Sequence, residues 1–247
     1  MYREQFSDFT VESYSRILDR ARTMYSFESF SNEECRKSGP HVIWRHDVDF
    51  SMHRALRLAQ LEAERGCSST FFLMLTSEFY NLHEADIRKI AKQIASNGHK
   101  IGLHFDPTVY DIKDYNQMVE MLRWEGGIVA DIVGESVEAV SFHNPTQDLL
   151  QLTSHTLGGM VNAYSEFYRN RYKYCSDSNG YWRFDRLEDV LNSEENPYLH
   201  VLTHPVWWQE VPLSPRARVS RCAEGRANSN LVKYDGMLIR FGRKNIK

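Results

Sequence analysis

The chain has 247 residues, 42% hydrophobic, 26% charged and 13% aromatic, with 13 Gly, 7 Pro and a formal net charge of −3. That balance supports a large apolar core and excludes intrinsic disorder, a collagen-like repeat and a disulfide-stapled miniprotein. No apolar run approaches the ~20 residues of a membrane helix, and no Pro/Gly/Ser-rich linker or internal repeat divides the chain.

The opening MYREQFSDFT is charged and lacks an apolar signal core, so a cytoplasmic setting is expected. Cys35, Cys67, Cys175 and Cys222 are widely spaced without a CxxC pair, which reads as reduced packing thiols. The net charge names no partner, and no nucleic-acid partner is expected. Charge is uneven, however. Arg216–Lys247 holds nine Lys/Arg against Glu224 and Asp235, leaving this segment near +7 and the remainder near −10. Such a tail attracts phosphate groups or an anionic membrane face, or is simply a solvated surface.

Apolar positions at Val11, Tyr14, Ile17, Leu18, Ala21 and Tyr25 predict a helix within Val11–Phe27. A polar loop through Gly39-Pro40 leads into a strand at His41–Arg45. A helix follows over Ser51–Arg65, stopped by Gly66, and then a strand at Thr70–Leu75. Glu84–Asn97 is helical, Lys100–His104 a strand, Tyr115–Val133 helical with an interruption near Gly126-Gly127, and Glu138–Phe142 a strand. Short strands at Met160–Tyr164 and Tyr172–Cys175, a helix at Arg186–Leu191 and a buried strand at Leu199–Thr203 complete the pattern. Strands alternating with helices imply a parallel sheet, either doubly wound or a closed or nearly closed barrel. No GxGxxG or GxxxxGK[ST] loop follows any strand, which counts against dinucleotide and P-loop nucleotide binding.

Ionisable residues recur where apolar strands end: Arg45-His46-Asp47-Val48-Asp49, His104-Phe105-Asp106, His143-Asn144-Pro145, Ser176-Asp177-Ser178 and His204-Pro205. In parallel α/β architectures the carboxyl ends of the strands form the active face. Asp47 and Asp49, two apart, point to one side of an extended chain, with Val48 on the other. Paired carboxylates suit a metal ligand beside a general base, against the alternative that one of them caps the next helix. His104 and His143 are candidate ligands, and His204 a candidate acid or ligand. His99 precedes its strand and reads as structural; His41, His53, His83, His155 and His200 read as surface or packing residues. Trp207-Trp208 offers a sugar-stacking wall or a lid over the core.

These segments together resemble the polysaccharide deacetylase superfamily, the family 4-like carbohydrate esterases. RHDVDFS, a following helix and TFFLM are similar to the family opening, and GHKIGLH to its GHEIG-x-H segment. SFHNP stands at its SFR-x-P segment, YCSDS with Tyr181-Trp182 at its Asp/Trp segment, and LTHP at its closing Leu-x-His. The resemblance spans about Val42 to Trp208, in order. It implies an α/β fold, a distorted (β/α)7 barrel forming one domain over 1–247, with a motif-bearing core 42–208 and a basic extension 209–247. It also implies one divalent metal ion, Zn2+ by preference, and removal of acetyl groups from sugars.

Carried over by position, Asp47 matches the catalytic base, His104 the first metal histidine and His204 the catalytic acid. Three positions depart from the pattern. The adjacent Asp-Asp is Asp47-Val48-Asp49, which assigns the metal carboxylate to Asp49. The second metal histidine is Thr108, and the motif arginine is His143, so a ligand lost on one loop is gained on the next strand. Asp49, His104 and His143 leave an open position for water. Asp177 is expected to orient an imidazole. The departures resemble the branch linked to bacterial surface-glycan synthesis, which implies an acylated amino-sugar substrate, nucleotide- or lipid-linked or polymeric. Rival readings are another metal-assisted hydrolase (O-acetyl ester, other amide or phosphoester) and a non-catalytic glycan-binding relative.

Overall fold

The computed structural model describes residues 6–31, 39–182 and 184–246. Cys35 and most of the loop before Gly39 lie outside the described residues.

In chain order the elements are α1 (Val11–Met24), β1 (Ser26–Glu28), β2 (His41–Val48), α2 (Met52–Ala63), β3 (Thr70–Leu73), α3 (Ala85–Ser96), β4 (Lys100–Phe105) and α4 (Tyr115–Val133). There follow β5 (Ala139–Phe142), α5 (Gln147–Leu150), β6 (Thr156–Leu157), β7 (Met160–Asn162), α6 (Glu166–Arg171), β8 (Lys173–Ser176), α7 (Leu187–Ser193), β9 (Tyr198–Thr203) and α8 (Pro215–Arg240). Helix starts follow capping chemistry: Thr10, Ser51, Asp114 and Ser214 each accept a backbone N–H of the first turn. Gly134 closes α4 in the left-handed region at φ 87°.

The sheet runs β6-β7-β5-β4-β3-β2-β9-β8, and every pair from β7 to β8 is parallel. Those seven parallel strands with helices outside make the distorted, incompletely closed barrel expected from the sequence. Among the described residues the edges β6 and β8 do not pair, so the barrel keeps a seam.

Alternation along β2 separates two environments. Trp44 and Val48 point outward, into apolar layers beneath α1, α2 and α7 and beneath α2, α3 and α4. Ile43 points inward, to a smaller cluster with Phe30, Phe72 and Ala139, and Arg45 and Asp47 share its parity. Gly102, paired with Phe72 across β3–β4, is required by close approach. A Cβ there would stand 2.5 Å from the Phe72 ring.

Four differences from the sequence reading have physical causes. α4 runs unbroken through Gly126-Gly127, and Gly126 serves close packing there, since the Met160 sulfur would be 3.2 Å from an added Cβ. β1 and β6 are too short for periodicity to reveal. The strand expected to reach Tyr164 stops at Asn162. The basic extension folds as α8, 26 residues long, anchored at its start by buried Arg218, which donates to the Phe6 carbonyl at 2.8 Å.

Candidate active site

The carboxyl ends of β2, β4, β5 and β9 deliver Asp49, His104, His143 and His204 to one cavity of about 470 Å³, which Asp47 also lines. Ser51, not either aspartate, caps α2, so both carboxylates remain available to the cavity.

Nε2 of His104 stands 3.0 Å from Oδ1 of Asp49 and 3.2 Å from Nδ1 of His143, and that Nδ1 is 3.7 Å from the same oxygen. Ligand atoms ~2.0–2.1 Å from one tetrahedral ion stand about 3.3 Å apart, the spacing seen here. Oδ1 of Asp49 is buried and accepts no hydrogen bond, an orphaned carboxylate oxygen facing two imidazole nitrogens. The three residues therefore fit a divalent cation. The neighbouring imidazoles hold the Asp49 carboxyl far below the usual range, against the upward push of burial. His143 is raised chiefly by the Asp49 carboxylate beside it, with burial opposing.

Hydrogen bonds fix how each imidazole is presented. Nδ1 of His104 lies 2.7 Å from Oγ of Ser141, whose hydroxyl is 3.4 Å from Oδ1 of Asp47. With its proton on Nδ1, His104 turns the Nε2 lone pair to Asp49 and His143, as second-partner bonds do for metal-bound histidines. The Asn144 side-chain amide lies 2.9 Å from Nε2 of His143, so Nδ1 is the nitrogen turned to the cluster. Asn144 itself sits at φ 44°, a left-handed conformation asparagine tolerates better than most residues.

Asp47 is held differently. The guanidinium of Arg45, fully buried two residues earlier on the same face, donates to Oδ2 of Asp47 at 3.1 Å and to the Tyr164 hydroxyl at 3.0 Å. Asp47 is thus tied to a cation and stands beside the ligand cluster without completing it. Across the cavity, His204 directs Nδ1 to Oδ1 of Asp177 at 2.6 Å and Nε2 to Oδ2 of Asp49 at 3.9 Å. Burial works against the imidazolium, but the charge and hydrogen bond of Asp177, with Asp49 and Asp47, outweigh it and push His204 up to about 9.

The structure brings Asp47, Asp49, His104, His143, His204 and Asp177 together. Trp207 and Trp208 require a correction: they are 5% and 0% exposed, so neither ring has a free face to stack on a sugar. Trp208 packs on Phe9 and Tyr14 and donates its indole N–H to Oδ2 of Asp177 at 3.0 Å. The aromatic rings that do line the cavity are Phe142, Tyr164, Tyr168 and Tyr174. Thr108 donates its backbone N–H and its hydroxyl to Asp106, which caps that turn.

Arg45, Ser141 and Tyr164 were not singled out from the sequence. The first two share strand parity with Asp47 and His143, a signal that would have found them. His46, of opposite parity, faces outward into a buried network with Glu62 of α2 at 2.7 Å and Thr203 at 2.7 Å. His99 joins that network at the far end, bonding the Ala59 carbonyl at 2.8 Å.

The fold and site together define a parallel α/β barrel with a cation-type cluster between a carboxylate and an imidazole. No family model matches the chain, and no curated protein matches it. Solved structures do. A family 4 carbohydrate esterase from Streptomyces lividans is 14% identical, with 77% of this chain and 89% of that one covered at a TM-score of 0.43. A family 4 carbohydrate esterase from Bacillus anthracis is 13% identical over 87% of this chain and 86% of that one, with a TM-score of 0.44. A family 4 pseudoenzyme from Bacillus anthracis is 14% identical over 74% of this chain and 60% of that one, with a TM-score of 0.41.

Proposed function

We propose that the protein is a metal-dependent hydrolase that removes an acyl group, an acetyl in the first instance, from the nitrogen of an amino sugar or glycan precursor. The observation that carries this reading is the orphaned Oδ1 of Asp49, facing two imidazole nitrogens at tetrahedral spacing beside a second carboxylate that arginine holds apart.

One carboxylate with two imidazoles suits Zn2+, and such an ion when bound polarises the acyl carbonyl and acidifies water. Asp49, His104 and His143 would hold it. Asp47 accepts the proton released as water adds to the acyl carbon, and Arg45 keeps that carboxylate aimed into the cavity. His204 donates its Nε2 proton to the departing nitrogen as the C–N bond breaks, and Asp177 holds the imidazole in the orientation this requires. The products are the free carboxylic acid and the amine.

The acylated amino sugar, carried on a nucleotide, a lipid or a polymer, belongs to the same reading, as do a cytoplasmic setting and a place in surface-glycan synthesis. Acetate release is measured from N-acetylglucosamine oligosaccharides and a nucleoside-diphosphate N-acetylhexosamine, with Zn2+ or Co2+ and with chelator. Metal-dependent acetate release with one free amine formed per acetate supports the reading. Binding of metal with cleavage only of O-acetyl esters or phosphoesters overturns the amide assignment, and no turnover of any of them overturns the hydrolase.

A further inference from the structure

The basic extension is not used by the proposed chemistry, and α8 presents it in an unusual way. Gly225, Arg226, Ser229 and Lys233 line the cleft between α8 and the first turns of α2 and α3. Arg226 and Lys233 both donate to the Glu84 carboxylate, each at 2.9 Å to Oε2. The polar side of the helix is therefore turned toward the protein.

At about 100° per residue, Leu231, Tyr234 and Leu238 fall on one stripe and Val232 and Ile239 on a second, with Asp235 between them, on the side away from Arg226 and Lys233, and Phe241 caps the helix. Leu231 is 63% exposed, Val232 71%, Ile239 81% and Phe241 61%. Leu238 is covered: the chain turns at Gly242 (φ 62°), the Arg243 N–H bonds the Leu238 carbonyl at 2.9 Å, and Asn245 bonds Asp235 at 2.6 Å. A surface helix ordinarily buries its apolar face and shows its charged one. Here the arrangement is reversed.

Cations crowd the same end. Arg240, Arg243, Lys244 and Lys247 follow Asp235 with no acidic residue after it. Among the described residues no carboxylate lies within ion-pair distance of Arg240, Arg243 or Lys244, unlike Arg226 and Lys233. Two copies of α8 packed in parallel would bring these like charges together. Lipid phosphates would neutralise them while the acyl region takes up the apolar side chains. No described helix is long and apolar enough to cross a membrane, so the contact is peripheral. We infer that the outward side of α8 from Leu231 to Ile239, with the cations that follow, is a docking surface for an anionic lipid bilayer.

The test is co-sedimentation of the full chain with vesicles of phosphatidylcholine alone and of phosphatidylcholine with phosphatidylglycerol, at low and high salt. Binding to the anionic vesicles, weakened by salt, is expected. Arg240→Gln/Arg243→Gln/Lys244→Gln should weaken partitioning about 100-fold, taking the usual contribution of each cation near an anionic surface. Leu231→Ser/Ile239→Ser, at exposed positions, should abolish it with the circular dichroism spectrum unchanged. No binding to anionic vesicles, or binding indifferent to both variants, overturns the proposal. So does a dimer in solution that Leu231→Ser/Ile239→Ser converts to monomer while vesicles are ignored.

Discussion

Nδ1 of His204 lies 2.6 Å from Oδ1 of Asp177, and both oxygens of that carboxylate also accept the His204 backbone N–H at 3.0 Å. Trp208 donates its indole N–H to Oδ2, so a fully buried carboxylate is satisfied from three directions and can only serve its histidine. The link fixes the ring so that Nε2 is the atom that faces the cavity.

If Nε2 supplies the proton to a departing amine, His204→Ala should lower turnover of an N-acetyl amino sugar by about 10²–10⁴-fold. An activated aryl acetate, whose phenolate leaves without a proton, should lose far less, and metal content should not change. Equal losses on the two substrates, measured side by side, would remove the acid role from His204.

The two carboxylates at the end of β2 are distinguished by their partners. Asp47→Asn should abolish turnover and keep the metal, because Asn still accepts the Arg45 hydrogen bond but takes no proton from water. Asp49→Asn should lose metal if the orphaned oxygen serves as the ligand. Kinetics together with elemental analysis of both variants decide the matter, and the opposite pattern would show the two roles reversed.

A buried carboxyl outside the proposed chemistry gives a stability test. Glu125 on α4 is raised to about 7, mainly by burial and further by the charge of Asp106, although its bond from Tyr110 lowers it. Its folded value lies above the unfolded ~4.3. Its contribution is therefore fully present below about pH 4 and is lost as the pH rises through about 7, a change of order 3 kcal/mol. Glu125→Gln keeps an acceptor for Tyr110 and does not titrate. Its melting temperature should gain on the parent from pH 5 to about pH 7 and level off above it, and a pH-independent difference would show that Glu125 ionises without penalty.

The legible part of the fold was that governed by simple periodicity. The helical spacing of Val11, Tyr14, Ile17, Leu18 and Ala21 became the buried face of α1, and parity alone placed Asp47 and Val48 on opposite faces of β2. Residues whose position depends on tertiary partners were not legible. An arginine at 0% exposure contradicts composition-based expectation. Arg45 is tolerated because Asp47 and Tyr164 take one terminal nitrogen and the Phe72 and Tyr164 rings lie 5.4 and 5.0 Å from its guanidinium carbon. The Trp207-Trp208 pair read as a sugar-stacking wall or a lid over the core. Phe9 and Tyr14, brought in from the other end of the chain, cover Trp208. For α8, charge counting detected the basic segment but not that its apolar stripe would face outward, since ion pairs to Glu84 on α3's boundary set its rotation.

If Asp49, His104 and His143 hold one divalent ion, metal content of the purified chain and of His143→Ala decides it. One Zn2+ per chain is expected after reconstitution and exhaustive dialysis, falling to trace occupancy in the folded variant, with acetate release lost in parallel. Full occupancy in His143→Ala, or a parent chain that retains no metal, would contradict it.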